Sequence, residues 1–211
     1  MTTAPADNQV LFPNRFKNPS RYYTTGRPVY PKLLARRVAA LVGVTSDDAV
    51  LDLGTGPGFL ALDFAPLAGK VIGVDPSEEM LSEARANAER EGVAIQFIKG
   101  SSFELTPQLG RFKLVTIGRA FHWMEPDQTL ASLDGLVVAG GAVSLYREQY
   151  PEVAENAWHS EFQALLDSYS TEDPARTRTR GSEPQEAVLL RSRFDHLERI
   201  SVLERRATPI E

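Results

Sequence analysis

The 211-residue chain contains no cysteine. That excludes disulfides, thiolate metal sites and a cysteine nucleophile, while leaving the compartment open. It also lacks a long apolar run. The longest mild stretch, Leu136 to Tyr146, is interrupted by Gly140-Gly141 and is too short to span a bilayer. The first thirty residues carry Pro, Asn, Arg and Lys without a continuous apolar segment, so a secretory signal is not expected and the cytoplasm is the expected location. An excess of positive charge is missing too. The net charge of -5 argues against nucleic acid or an anionic membrane as the main partner. No internal repeat or low-complexity tract stands out. What remains is ordinary for a globular domain, at 42% hydrophobic and 24% charged residues, and the length suits one domain with a proper core.

The most informative segment runs from Val50 through Leu51-Asp52-Leu53-Gly54-Thr55-Gly56-Pro57-Gly58-Phe59 to Leu60. It reads as a short apolar strand ending in an acid, a glycine-rich turn and the start of a helix. Such a turn lets a nucleotide-like ligand lie against backbone with no side chain in the way. A second acid, Asp75, closes the next apolar run Val71-Ile72-Gly73-Val74, where a ribose-binding carboxylate is expected.

The elements around this segment alternate. An amphipathic helix is expected over Pro31 to Val42, with Leu34, Val38 and Leu41 inward and Gly43 as its stop. Strands are expected at Ala49 to Leu53, Lys70 to Asp75, Val93 to Lys99, Phe112 to Ile117 and Ala142 to Tyr146. Pro57 suits the first turn of the helix after the first strand. Ser77 caps a helix that carries Glu78 and Glu79 at its positive end and stops at Gly92. Another helix begins near Pro126 with Leu130, Leu133 and Leu136 inward. This spacing implies an α/β fold, a mostly parallel central sheet with helices on both faces. Ligands of such sheets sit at the carboxyl ends of the strands.

Residues 1–20 read as a flexible start, 21–150 as the core, and 151–211 as a helical cap and last strand of the same domain. In that last part Trp158, Phe162, Leu165, Leu166 and Tyr169 form an apolar stripe at helical spacing. It is either a helix packed on the core or a cap over a substrate pocket. Ser170 to Pro184, rich in Thr, Pro and Arg, reads as a loop. A short helix over Glu186 to Leu190 and a strand-like Leu197 to Leu203 follow.

Asp52-Leu53-Gly54-Thr55-Gly56-Pro57-Gly58 resembles motif I of the class I S-adenosylmethionine-dependent methyltransferases. Two details favour that cofactor over NAD. A dinucleotide fingerprint wants Gly or Ala where the chain has Phe59, and Pro57 removes a backbone N–H that a pyrophosphate would use. Arg119-Ala120-Phe121-His122-Trp123 after the fourth strand is similar to the A-F-H-W segment of the bacterial small-molecule group, relatives of the ubiquinone/menaquinone and trans-aconitate enzymes. Arg27-Pro28-Val29-Tyr30-Pro31 looks like that group's R-P-x-Y-P stretch.

The resemblance implies a Rossmann-like methyltransferase fold, S-adenosyl-L-methionine as cofactor and a small-molecule acceptor. It also implies site roles. Gly54, Thr55, Gly56 and Gly58 would carry the methionine part of the cofactor, Asp52 would stand near its amino group, and Asp75, followed by Pro76, would accept from the ribose hydroxyls. Met80 would lie near the adenine face, and Arg119 and Ala120 would border the cofactor. Where the family has Gly-Asp, this chain has Gly100-Ser101-Ser102-Phe103. A serine hydroxyl can accept the adenine amino bond but without charge assistance, and Phe103 is either core or an adenine platform.

Methyl transfer asks mainly for alignment of nucleophile, methyl carbon and sulfur. A general base is needed only where the acceptor must lose a proton, and His122 is the candidate; its alternative is to orient the loop beside Trp123. Tyr22, Arg27, Trp123 and Arg147 are the remaining acceptor-side candidates. Arg27, Arg119 and Arg147 each offer a guanidinium fork for a carboxylate. His159 and His196 have no motif around them, and the alternating Arg176, Arg178 and Arg180 read as solvated surface. The N-P-P-Y/F segment of base-directed enzymes and a catechol-type metal arrangement are both missing from the sequence.

The family sheet ends with a sixth strand and an antiparallel seventh, and the chain ends at Glu211 soon after the sixth-strand candidate. An incomplete sheet edge is therefore expected, and with it a homodimer or poor solubility, because an uncovered edge invites pairing. A protein that binds S-adenosylmethionine or its demethylated product without turnover, and more remotely an NAD-dependent oxidoreductase, are the alternatives.

Overall fold

The computed structural model describes residues 29–169 and 183–205. Its elements in chain order are α1 (Lys32–Val42), β1 (Ala49–Leu53), α2 (Phe59–Phe64), β2 (Lys70–Asp75), α3 (Glu78–Glu91), β3 (Gln96–Lys99), β4 (Phe112–Gly118), α4 (Pro126–Asp134), β5 (Val137–Tyr146), α5 (Trp158–Tyr169) and α6 (Gln185–Leu190). The five strands form one parallel sheet in the order β3-β2-β1-β4-β5, which reverses direction of progression between β1 and β4. That reversal opens a crevice at the carboxyl ends of these two strands, where the glycine turn lies.

Alternation along the strands feeds two cores. Leu51, Leu53, Ile72, Val74, Phe112, Val115 and Ile117 face one side and pack with Leu130 and Leu133 of α4 and Val188 of α6. Val50, Val71, Leu114 and Tyr146 face the other and meet Ala35, Val38 and Ala39 of α1 and Leu60, Ala61 and Phe64 of α2. Asp52 shares that second face with Val50, two residues back along the strand. A polar group is thus carried into an apolar layer.

Several expected boundaries move. The buried stripe of α1 is Ala35, Val38 and Ala39, while Leu41 is 53% exposed; the alanines allow close approach to the sheet that a leucine would prevent. Pro57 lies in the turn and not in the helix, because α2 begins at Phe59 with Gly58 as its left-handed cap. The Asn87 side chain of α3 fixes that turn by donating to the Pro57 carbonyl at 2.9 Å. β3 starts at Gln96 and not at Val93, since the Val93 amide closes the end of α3 by donating to the Ala88 carbonyl.

β5 starts five residues earlier than Ala142, at Val137, and passes Gly140-Gly141 through a register shift against β4. Leu136 is buried as expected, but it stands after α4 and not in it.

The region after β5 departs most. Leu197 to Leu203 pairs with no strand, so β5 has no outer partner among the described residues. α5 forms over the expected span, yet Trp158, Phe162 and Leu165 are 49%, 45% and 54% exposed. These exposures are not those of a helix packed on the core. Tyr150 stacks on His159 at 4.4 Å and meets Trp158 edge-on at 5.8 Å, a local aromatic group at the start of that helix. No helix among the described residues is long and apolar enough to cross a membrane.

Candidate functional site

The loops after all five strands meet in one rim, tied together by specific contacts. The amides of Gly54 and Thr55, after β1, donate to the Val74 carbonyl of β2 at 2.8 and 3.0 Å. The Gly100 amide after β3 donates to the Asp75 carbonyl, and the Arg119 amide after β4 donates to the Tyr146 carbonyl of β5. Gly54 has φ +70, and a Cβ there would lie 2.5 Å from the Ala120 Cβ. Only glycine lets β1's turn touch the loop after β4 so closely.

Asp52 is 1% exposed and supports the turn from below. Its Oδ2 accepts from Thr55 Oγ1 at 2.6 Å and from the Ala61 amide at 3.2 Å, and its Oδ1 accepts from Thr116 Oγ1 at 2.8 Å. Burial pushes its carboxyl up to about 6, against the pull of those three donors. The acid thus joins β1, β4, the turn and the first turn of α2. Its oxygens face these donors inside the protein, away from the open rim.

Asp75 does the complementary work from the side. It is 8% exposed. Oδ2 accepts from the Gly56 amide at 2.8 Å and Oδ1 from the Ser77 amide at 2.9 Å. Burial moves its carboxyl upward, and the two backbone bonds oppose the shift. Each oxygen keeps a second lone pair. Gly56 itself has φ +54, and no atom stands within 4 Å of where its Cβ would be, so the tip of the turn borders open space.

The other expected cofactor residues divide. Met80 is buried, with its amide donating to Ser77 Oγ in the cap of α3. Ser102 is buried and Phe103 half-buried beside it. Ser101 is held by Glu104, whose Oε2 accepts from both the Ser101 amide and its hydroxyl at 2.9 Å. Glu104 was missed by the sequence reading, although Ser101-Ser102-Phe103-Glu104 has the S-x-x-E spacing in which a glutamate reaches back to a serine amide. A carboxylate therefore stands at the end of β3 after all, three residues beyond its expected place.

After β4, Arg119 has φ +54 without being glycine. Its guanidinium lies 4.3 Å over the Tyr30 ring and 3.6 Å from Glu148. Phe121 turns inward, while His122 and Trp123 are half-buried on the rim with rings 4.5 Å apart. Arg147 is directed elsewhere, to Glu186 of α6 at 2.8 Å. His159 stacks on Tyr150, and His196 pairs with Glu198. Tyr22, Arg27, Arg176, Arg178 and Arg180 lie outside the described residues. A separate open groove of about 600 Å³, lined by Lys70, Arg85, Glu89 and Gln96, sits at the amino ends of β2 and β3, opposite this rim.

The residues fit an adenosyl ligand with a cationic head: a side-chain-free turn tip, a flanking carboxylate with acceptor capacity left, and a glycine contact that closes the rim. Comparison with known proteins agrees. Residues 50–141 match the profile of a methyltransferase domain. The ribosomal protein L11 methyltransferase of Thermus thermophilus is 47% identical over 68 residues, which is 32% of this chain and 26% of that protein. The demethylmenaquinone methyltransferase of Thermus thermophilus is 34% identical over 110 residues, 50% of each chain. A crystal structure of an S-adenosylmethionine-dependent methyltransferase from Clostridium acetobutylicum superposes with a TM-score of 0.50 over 62% of this chain and 55% of that one, at 21% identity, and shares the fold.

Residues 50–141 thus resemble a methyltransferase domain, set in a Rossmann-like fold shared with solved S-adenosylmethionine-dependent methyltransferases. The chain spans between a quarter and a half of the length of the two curated relatives described.

Proposed function

We propose that this protein moves a methyl group from S-adenosylmethionine to a small-molecule acceptor. The observation that carries the reading is the Gly56 tip, open to ligand and held in place by an acid that keeps lone pairs for a further partner. When bound, the cofactor supplies a methyl group on a cationic sulfur that is already a good leaving group.

The chain's own residues then bind and align. Gly54, Thr55, Gly56 and Gly58 present backbone along the turn, with Asp52 as its internal brace. Asp75 accepts from the ribose hydroxyls with the lone pairs its two backbone bonds leave over. Pro76, Met80 and the Ser101 to Glu104 loop border the adenine, and Ala120 closes the rim against Gly54. His122 takes the proton of an acceptor that must lose one, a phenol or alcohol, and Trp123 shields that proton transfer from water. Tyr22 and Arg27 belong to the acceptor side in this reading, Arg147 being held by Glu186, and the protein works in the cytoplasm.

The net charge of -5 supports a small acceptor over RNA, since a polyanion gains its affinity from basic surface. Titration calorimetry with S-adenosylmethionine, S-adenosylhomocysteine and NADH tests the cofactor. Conversion of the methyl donor to S-adenosylhomocysteine with a metabolite library tests turnover. Micromolar binding of both adenosyl ligands and acceptor-dependent conversion are expected. NADH binding in their place would overturn the reading.

A further inference from the structure

Two helices leave apolar stripes in solvent, and the charges beside those stripes are opposite. On α1 the core takes Ala35, Val38 and Ala39, and the other side of the helix carries Leu33, Arg36, Arg37, Ala40 and Leu41. These five fall at i, i+3, i+4, i+7 and i+8, a single helical face. All are exposed, Leu33 and Leu41 by more than half. Residues 29–44 contain three bases and no acid.

On α5 the stripe is Trp158, Glu161, Phe162 and Leu165, at i, i+3, i+4 and i+7, and these four are exposed as well. Glu155 stands three residues before Trp158 and Glu161 three after it. Tyr150, edge-on to Trp158, widens the aromatic surface. Residues 148–169 contain five acids and no lysine or arginine.

Charge decides what can cover these faces. Packing α5 against α5 of another molecule sets acid against acid, and α1 against α1 sets base against base, so like charges oppose both contacts. An anionic membrane or a nucleic acid is repelled by the α5 acids. Packing α1 on α5 matches apolar stripes on helices of 11 and 12 residues and brings Arg36 and Arg37 to the side of Glu155 and Glu161. Within one molecule both stripes remain exposed, so such a contact joins two molecules.

We infer that a second copy of this chain covers α5 with its α1, reciprocally, in a two-fold dimer. One short helix pair is small beside the total of about 1,200–2,000 Å² that stable interfaces bury, and two-fold symmetry supplies the contact twice. The dimer is accordingly of micromolar strength and weakened by salt. Neither stripe carries a residue of the proposed cofactor site, so the contact stands or falls apart from the methyltransferase reading. It also differs from pairing through the β5 edge, which would use backbone groups and be indifferent to these side-chain charges.

Analytical ultracentrifugation of the full chain tests it by charge reversal. The native chain should dimerise at low salt. Arg36→Glu/Arg37→Glu and Glu155→Lys/Glu161→Lys should each weaken the dimer by about 10²-fold or more and sediment as monomers. Glu155 also accepts from Arg205 at 3.1 Å, an exposed pair whose loss costs little stability. An equimolar mixture of the two variants sets acidic α1 on basic α5 and basic α1 on acidic α5, so the dimer should return. Circular dichroism melts close to native show that each variant folds, and recovery in the mixture is a gain that misfolding would not produce. A monomeric native chain, open-ended oligomers, a dimer indifferent to both reversals, or monomeric variants that stay apart when mixed would each overturn the inference.

Discussion

Replacing Asp75 with asparagine keeps its shape and removes its charge, and the structure sets the cost. Both carboxylate oxygens accept backbone amides, Gly56 at 2.8 Å and Ser77 at 2.9 Å, at a residue 8% exposed. Asparagine has one acceptor oxygen. Its NH₂ must face one of the two amides, donor against donor, and a buried donor left without an acceptor costs about 1–3 kcal/mol. The surviving bond loses its charge assistance and about half its strength. The sum is about 2–3 kcal/mol, which in a chain of this size lowers the melting temperature by roughly 5–10 °C.

The Gly56 tip is also released, and the ribose hydroxyls lose a charged acceptor. Affinity for S-adenosylhomocysteine should therefore fall at least tenfold, about 1.4 kcal/mol. Thermal unfolding at pH 7.5 and calorimetric titration measure the two effects. A melting temperature within about 2 °C of native refutes the strut reasoning. A large drop in stability with unchanged affinity refutes the ribose role and leaves Asp75 as a brace alone.

Gly54→Ala should cost at least about 2 kcal/mol and abolish adenosyl binding, because φ +70 is strained for alanine and its Cβ would collide with Ala120. Gly92→Ala, at φ +67 in open space, isolates the strain and should cost about 1 kcal/mol in the same unfolding assay. Asp52, at about 6 in the fold against an ordinary 3.8, favours folding most below pH 4, and that contribution is lost as pH rises through 6, an effect of about 3 kcal/mol. The stability of Asp52→Asn relative to native should therefore rise between pH 4.5 and 7.5; a difference that does not vary with pH would contradict it. His122→Asn should slow methylation of a phenolic acceptor by about 10²-fold or more while leaving S-adenosylhomocysteine affinity intact, as read from initial rates and titration.

Local chemistry made much of this fold legible. β1, β2 and β4 are apolar runs ended by an acid or a glycine, and α3 announces itself with Ser77 before it and Gly92 after it. Where the expectation slipped, a long-range contact decided. The start of β3 was taken by the amide of Val93 closing α3, and β5 reached back past Gly140 because Lys113 of β4 donates to the Gly140 carbonyl at 2.7 Å. The aromatic stripe of α5 has the period of a buried helix, but periodicity says which residues share a face and not whether anything covers it. Glu104 was readable in its spacing from Ser101. Tyr30 and Glu148 were not, since their meeting at Arg119 depends on three separate elements.

The two acids show where such a reading ends. In sequence Asp52 and Asp75 look alike, each at the end of a parallel strand beside the same glycine turn. Two residues of strand register separate their fates. Asp52 is paired with Gly73 and Thr116 inside the sheet, so its side chain is surrounded by donors from β4, the turn and α2. Asp75 is the last residue of β2, partnered by Lys99 at the last position of β3, and only backbone amides of the turn and the α3 cap reach it. An acceptor enclosed by three donors has its capacity turned inward, whereas an acceptor holding two amides at the rim has capacity to spare. The same amino acid therefore serves as internal brace at one position and, in the proposed function, as ligand contact at the other, and the substitutions should separate the roles. Asp52→Asn should act chiefly on stability and its pH dependence, and Asp75→Asn on stability and cofactor affinity together.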